Sequence, residues 1–214
     1  MPSIPSRWKA RRAVRATLLS RARKAFAARK TKANLALVKL RKKQVAAADR
    51  VLARHANAAP IVDETHDSPN QSSRRGVTPS IIVLHATEGG FDGAVSWLCN
   101  PQAQASAHLV ISKAGRIARL VPDAAKAWHV ASFNSQALGI EQEGFTAQTA
   151  WPEAQLQAVA SWVAYWARTY NIPLTHSTTH GVCRHMDLGQ AGGGHGDPGD
   201  NYPFEHVLEL ARKS

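Results

Sequence analysis

The chain has 214 residues, enough for one ordinary domain of roughly 100–200 residues with a segment to spare. No stretch approaches the ~18 apolar residues of a membrane-spanning helix, the start lacks the apolar core of a secretory signal, and two cysteines, Cys99 and Cys183, cannot build a disulfide framework. The net charge of +12 is unevenly placed: residues 1–55 hold 17 Lys and Arg against one acid, Asp49, while residues 56–214 hold 10 against 14. That asymmetry describes a polyanion-seeking arm joined to an ordinary domain.

The arm, residues 1–55, reads as helix from Arg7 to about His55, with no Gly, no Pro after Pro5, and many Ala, Leu, Lys and Arg. Val14, Leu18, Ala22, Ala25 and Phe26 lie along one helical face, and Val38, Val45 and Leu52 recur at seven-residue spacing. Two readings stand side by side. The stripe packs on the domain or on another copy of the helix, or the basic cylinder adheres to anionic envelope polymers or a membrane surface. Its Arg-rich composition is shared with organellar transit peptides, but the basic run continues without a processing signal. No DNA- or RNA-binding motif accompanies the charge, so no specific nucleic acid partner is expected.

Residues 56–79 are rich in Pro, Ser, Asn and mixed charge without periodicity, the composition of a linker or surface-hugging loop. The domain, residues 80–214, opens on IIVLHAT, an apolar β-branched run that predicts a buried strand ending at His85. A short helix is expected from about Asp92 to Cys99, and AHLVIS and RIARLV, joined through Gly115, form a hairpin. LGIEQEGF is a further strand. WPEAQLQAVASWVAYWARTY is the clearest helix, with Leu156, Val159, Val163 and Trp166 on one face, so that Trp162 and Trp166 belong to the core. YPFEHVLELARK supplies the last helix. Strands interleaved with helices give an α/β domain.

The polar residues suggest chemistry. His85 ends a buried strand, His185 stands in RHMDLG, and Asp197 follows twelve residues later in GGGHGDPGDNYPF. Three protein ligands with a fourth position left open is how catalytic zinc is held, and one ligand from a strand with two from a later loop can build such a site. Cys183 and His180 are competing candidates nearby, and the Gly-rich loop by itself is equally a plain surface turn.

The order of the segments adds what spacing cannot. IIVLHAT, SAHLVISKAGRIARLVPD, AWHVASFN, LGIEQEG, RHMDLG and HGDPGDNYPF resemble, in the same order, the zinc-dependent N-acetylmuramoyl-L-alanine amidases of the type-2 family, which include phage endolysins, bacterial recycling amidases and, more distantly, peptidoglycan recognition proteins. The resemblance covers about residues 77–212 and leaves the basic arm unexplained. It implies a central mixed β-sheet flanked by helices, with Zn2+ held in a groove by His85, His185 and Asp197.

By the same resemblance, Glu141 handles the proton of the attacking water, and His129 and Asn134 border the substrate groove. His195 stands where the family commonly has a Lys that stabilises the oxyanion, a role a His fills when protonated or through its N–H. His108 has a structural or supporting role, and Glu143 is expected on the opposite face from Glu141. The implied reaction is cleavage of peptidoglycan between N-acetylmuramic acid and L-alanine by a monomer. The implied setting is a phage endolysin made in the host cytoplasm without a signal peptide, reaching the wall after holin-type release. A bacterial autolysin or recycling amidase, or a non-catalytic peptidoglycan receptor, is the alternative.

Overall fold

A computed structural model describes residues 4–29, 32–56 and 58–214. The chain divides into two compact units, Met1–Ala58 and Ala59–Ser214. Among the described residues, no helix is long and apolar enough to cross a membrane.

The first unit corrects the expectation of one continuous helix. It is built from two helices, α1 (Ile4–Arg29) and α2 (Lys32–Ala56). They run antiparallel, because Arg12 pairs with Asp49 and the Arg15 guanidinium donates to the Gln44 carbonyl at 3.3 Å. A lone helix would leave its thin apolar stripe in water, and most helical stability comes from packing such a stripe away. Here Ala22, Val38 and Ala48 are buried and Val45 half-buried, whereas Val14, at 61% exposure, is left outside. The side chains of Ala25, Phe26 and Leu52, also expected in the stripe, lie outside the described ones.

The second unit is a mixed six-stranded sheet with helices on it. Its strands are β1 (Glu64–Thr65), β3 (Ile81–Ala86), β4 (Leu109–Ile111), β5 (Ile117–Arg119), β7 (Ala137–Gln142) and β8 (Gly181–Arg184), in the order β1-β5-β4-β7-β3-β8. Only the β4–β5 pair is antiparallel, the hairpin turning through Gly115. A separate ribbon pairs β2 (Gln71–Ser73) with β6 (Ala125–Ala127). The helices are α3 (Phe91–Leu98), α4 (Glu153–Tyr170) and α5 (Phe204–Lys213).

Period-two alternation divides the work of the two sheet faces. Ile82, Leu84, Leu138 and Ile140 point one way and join Val159, Trp162, Val163 and Trp166 of α4 with Val207 and Leu208 of α5 in the main core. Both tryptophans are essentially inaccessible, as their helical spacing predicts. Ile81, Val83 and Ala137 point the other way, with Val130, Cys183 and Leu188. His85 and Glu141 continue this second row.

Residues 56–79 are not a linker, which corrects the expected boundary. From Ala59 onward they belong to the second unit. The Asp63, His66 and Ser68 N–H groups donate to the carbonyls of Ile117, Arg119 and Leu120, adding β1 to the sheet edge. Ser68, Asn70 and Arg74 are buried. The Asn70 amide donates to the Asn100 and Ala105 carbonyls, and the Arg74 guanidinium to those of Asp123, Ser135 and Ala137. A two-residue edge strand and polar side chains tying down loops carry no hydrophobic period, so composition shows only a loop.

Candidate active site

The parallel strands β7, β3 and β8 end at the same side of the sheet, the side on which open α/β sheets bind ligands. Register does the rest. His85 pairs with Glu141 across β3 and β7, while β8 aligns with β3 as far as Arg184 opposite Leu84, which delivers His185 just beyond the edge. His185 opens a 3-10 segment running to Gly192, after which the Gly-rich loop returns Asp197 to the strand ends. The Met186 N–H donates to the Asp197 carbonyl at 2.9 Å, and the Ala86 N–H to its carboxylate at 3.3 Å. Gly199 is required in this loop. Its φ is +90°, and a Cβ there would meet the Thr146 carbonyl oxygen at 2.2 Å.

Three side chains converge. His85 Nδ1 and His185 Nδ1 are 3.0 Å apart, and the Asp197 carboxylate bridges them, its Oδ2 3.2 Å from the first and its Oδ1 3.0 Å from the second. Four-coordinate zinc with ligands at 2.0–2.2 Å places its donors about 3.3 Å from one another, so this triangle of two imidazoles and one carboxylate, with one ligand atom from each within 4.8 Å of the others, suits the ion in donor type and spacing. The imidazole nitrogens turned away from it are occupied. His185 Nε2 donates to the Gly192 carbonyl at 3.0 Å, which leaves the Nδ1 lone pair for a cation. His85 Nε2 lies 3.0 Å from His129 Nδ1.

Without a cation the three groups act on each other. Burial pushes the Asp197 carboxyl up, but hydrogen bonds from His185 and His85 and their charge outweigh it and hold it well below the usual carboxylate range. For His185, burial works against the proton, yet Asp197 prevails and raises its pKa. In His85 burial wins and the pKa falls.

Glu141 stands beside this triangle, 3.9 Å from His85 Nδ1. Burial, helped by the charges of Asp197 and Glu88, pushes its carboxyl up to about 8. Among the described residues its Oε2 has no hydrogen-bond partner, and neither does His129 Nε2. A half-buried carboxylate whose Oε2 is enclosed and unpartnered, beside two imidazoles and a carboxylate, can hold and relay the proton of a water molecule.

An open groove of about 370 Å³ brings the candidates together: His85, His129, Asn134, Glu141, His185, His195 and Asp197 all line it. Two of them differ in detail from their expected roles. His129 touches His85, and its ring rests on β7 where Gly139 leaves room, since a Cβ there would lie 2.6 Å from the imidazole. Asn134 spends its side-chain oxygen on the His129 and Val130 N–H groups at 2.8 and 2.7 Å, so it shapes the loop that presents His129. His195 stacks on His185, ring centroids 4.8 Å apart.

Other polar residues stand apart. Cys183 is buried opposite Val83 in the sheet, and His180 is exposed with its ring at the Asn171 carbonyl; neither belongs to the triangle. His108 is fully buried, and its Nδ1 accepts from the Gly139 N–H at 3.0 Å, a supporting position beneath His129. Glu143 corrects an expectation about the pleat. Residues two apart share a strand face, so alternation does not separate it from Glu141; β7 ends at Gln142, and the Glu143 carboxylate turns to accept from the Lys113 N–H at 2.8 Å.

Sequence reasoning missed Gln142 and Arg74. The buried Gln142 amide donates to the His85 carbonyl at 3.0 Å and accepts from the Tyr202 hydroxyl at 2.8 Å. Its polar residue type inside an apolar strand was the available signal. Arg74 ties the Ser135–Ala137 backbone that leads into β7, and nothing in its neighbourhood RRG distinguishes it from a surface arginine.

The family profile described as N-acetylmuramoyl-L-alanine amidase matches residues 75–200. N-acetylmuramoyl-L-alanine amidase A of Achromobacter lyticus is 38% identical over 95 residues, 44% of this chain and 53% of that protein, so the match spans about half of the curated relative. Among solved structures, the N-acetylmuramoyl-L-alanine amidase LysC from Clostridium intestinale superposes with a TM-score of 0.56 at 26% identity over 72% of this chain and 99% of its own. The Staphylococcus aureus hydrolase AmiA does so with a TM-score of 0.59 over 77% and 88%, a likeness of fold alone at 20% identity. With a profile matched over more than half its length and a mixed sheet flanked by helices in common with these structures, the chain belongs to the N-acetylmuramoyl-L-alanine amidase family.

Proposed function

We propose that the protein is a zinc-dependent peptidoglycan amidase that hydrolyses the bond between the lactyl carbonyl of N-acetylmuramic acid and the amino group of L-alanine in the stem peptide. The observation that carries this is the convergence of His85, His185 and Asp197 in a cluster of zinc-binding size with a half-buried Glu141, its Oε2 unpartnered, at its side, inside one groove. Family membership supplies the substrate class.

His85, His185 and Asp197 hold the ion, which when bound supplies Lewis acidity to the scissile carbonyl and to water. Glu141 takes the proton of the attacking water and returns it to the departing L-alanine amine. Burial raises its pKa, which suits a group that must hold that proton between the two steps. His195, at the groove wall and stacked on His185, is placed to offer an N–H to the charge that develops on the carbonyl oxygen. His129 and Asn134 form the wall against which the substrate lies, His129 also fixing the His85 ring.

The setting we infer is wall lysis by an endolysin-type enzyme acting as a monomer. Endolysins among proteins of the same fold support that reading. The decisive experiment is mass spectrometry of purified walls after digestion. Intact glycan strands with free L-alanine amino termini are expected. New reducing sugar ends or cuts elsewhere in the peptide refute the amidase reading, and wall binding without release of products favours a receptor.

A further inference from the structure

Glu88, just past the end of β3, has φ +50°, in the left-handed region that side chains with a Cβ rarely adopt, although Gly89 and Gly90 follow it and neither has a positive φ. A residue persists there when its surroundings hold it. Gly89 and Gly144 exchange backbone hydrogen bonds at 3.1 and 3.2 Å, tying the exits of β3 and β7 together, and Thr87 Oγ1 accepts from the Gly144 N–H at 3.3 Å. Past Gly144 the chain turns on itself, the Gln148 N–H donating to the Phe145 carbonyl at 3.0 Å. The Glu88 carboxylate reaches into that turn. Its Oε1 accepts from the Thr146 N–H at 2.7 Å and also from the Thr146 hydroxyl. Thr146 in turn lies against the loop that carries Asp197, its carbonyl oxygen occupying the space that a side chain at Gly199 would need.

We propose that Glu88 is a positioning residue for Asp197: by latching Thr146 it fixes the backstop of the Gly199 end of the loop, and so keeps the Asp197 carboxylate where His85 and His185 can share a cation with it. An ionised carboxylate taking two donors of one residue makes a stronger tie than a neutral acceptor. The Thr146 N–H and hydroxyl are both spent on Glu88, and its carbonyl faces Gly199, so displacement at one end is felt at the other. For its effect on metal binding the latch rests on the zinc reading of Asp197; as a tie between loops it stands without it. Glu88 also lines the groove, which makes direct contact with substrate the rival role.

The test compares Glu88→Gly with Glu88→Gln in the full chain. Glycine accepts φ +50° and removes the carboxylate, so a loss in that variant cannot come from backbone strain. Glutamine keeps Oε1 as an acceptor for both Thr146 donors. Hydrogen exchange on the metal-free protein follows the Met186 N–H, which donates to the Asp197 carbonyl, and the Tyr202 N–H, which donates to the Gly199 carbonyl. Both should exchange about three- to tenfold faster in Glu88→Gly, the scale of losing one such tie. Zinc affinity, measured by competition with a chelator, should weaken by a similar factor, on the order of fivefold, and Glu88→Gln should return both readouts to within about twofold of wild type. An unchanged zinc affinity in Glu88→Gly overturns the proposal: with faster exchange Glu88 would only stiffen a loop, and with unchanged exchange and a raised KM it would be a substrate contact. A wild-type chain that takes up no zinc defeats the metal reading instead, and unchanged exchange in Glu88→Gly then defeats the latch as well.

Discussion

The two units of this chain organise charge in opposite ways. Residues 1–55 carry 17 basic residues and one acid, and most described cations of α1 and α2 point into water. In the second unit the charge is a modest excess of acid, and His85, His185 and Asp197 are buried and within hydrogen-bond distance of one another. The first arrangement acts through density, is tolerant of any one substitution and is screened by salt. The second acts through placement, where a displacement of about 1 Å can cost as much as losing the residue.

The comparison can be broken most severely at Asp197. Asp197→Ala removes the carboxylate that both imidazoles share, so zinc measured on the purified protein should fall from about one ion per chain to a small fraction of that, with wall hydrolysis lost by at least about a thousandfold. Circular dichroism should change little, since the sheet and its α4–α5 core are untouched. Retention of the ion would move the metal centre elsewhere.

Next in size is Glu141→Gln, which keeps shape and takes away the base. Turnover should drop by roughly 10² to 10⁴ with zinc content intact. Loss of zinc alongside activity would turn Glu141 into a ligand-supporting group and deny it the proton.

Gly139→Ala sharpens the claim about placement, because residue 139 faces no substrate. Its Cβ would fall 2.6 Å from the His129 ring, which must move and release His85. Zinc affinity, followed by competition with a chelator, should weaken about 10- to 100-fold, the usual scale for losing a ligand's supporting partner. An unchanged affinity would show that His129 does not orient His85.

The smallest effect is expected where the charge is dense. Lys39→Gln/Lys42→Gln/Lys43→Gln should leave kcat/KM on small soluble muropeptides within about twofold of wild type, because these solvated charges sit on a unit that supplies none of the groove residues. A large loss on the soluble substrate would mean that the two units do not divide the work in this way.

Much of the candidate site was legible from residue order. His85 at the end of an apolar run, Glu141 in the next long strand, and His185 and Asp197 bracketing a Gly-rich loop were nominated from their segments, and all four line one groove. Other parts left no trace. The polar stretch before Ile81 reads as linker because an edge strand of two residues and the buried amide of Asn70 have no period. Gln142 and Arg74 act through carbonyls far away in sequence, and a one-dimensional reading cannot see which carbonyl lies near which donor.

By itself, the sequence determined the segregation of charge, the helix-forming composition of the basic segment, the α/β alternation of the domain and the motif order of an N-acetylmuramoyl-L-alanine amidase, because composition, periodicity and local motif order are properties of neighbours along the chain. Tertiary structure alone decided that the basic segment folds back as a pair of helices, that residues 59–79 close the sheet, and that His129 and Gly139 lock the His85 ring. Each of these depends on register or on a seam between segments far apart in sequence, and such contacts are chosen by which surfaces can be buried together with their hydrogen bonds satisfied.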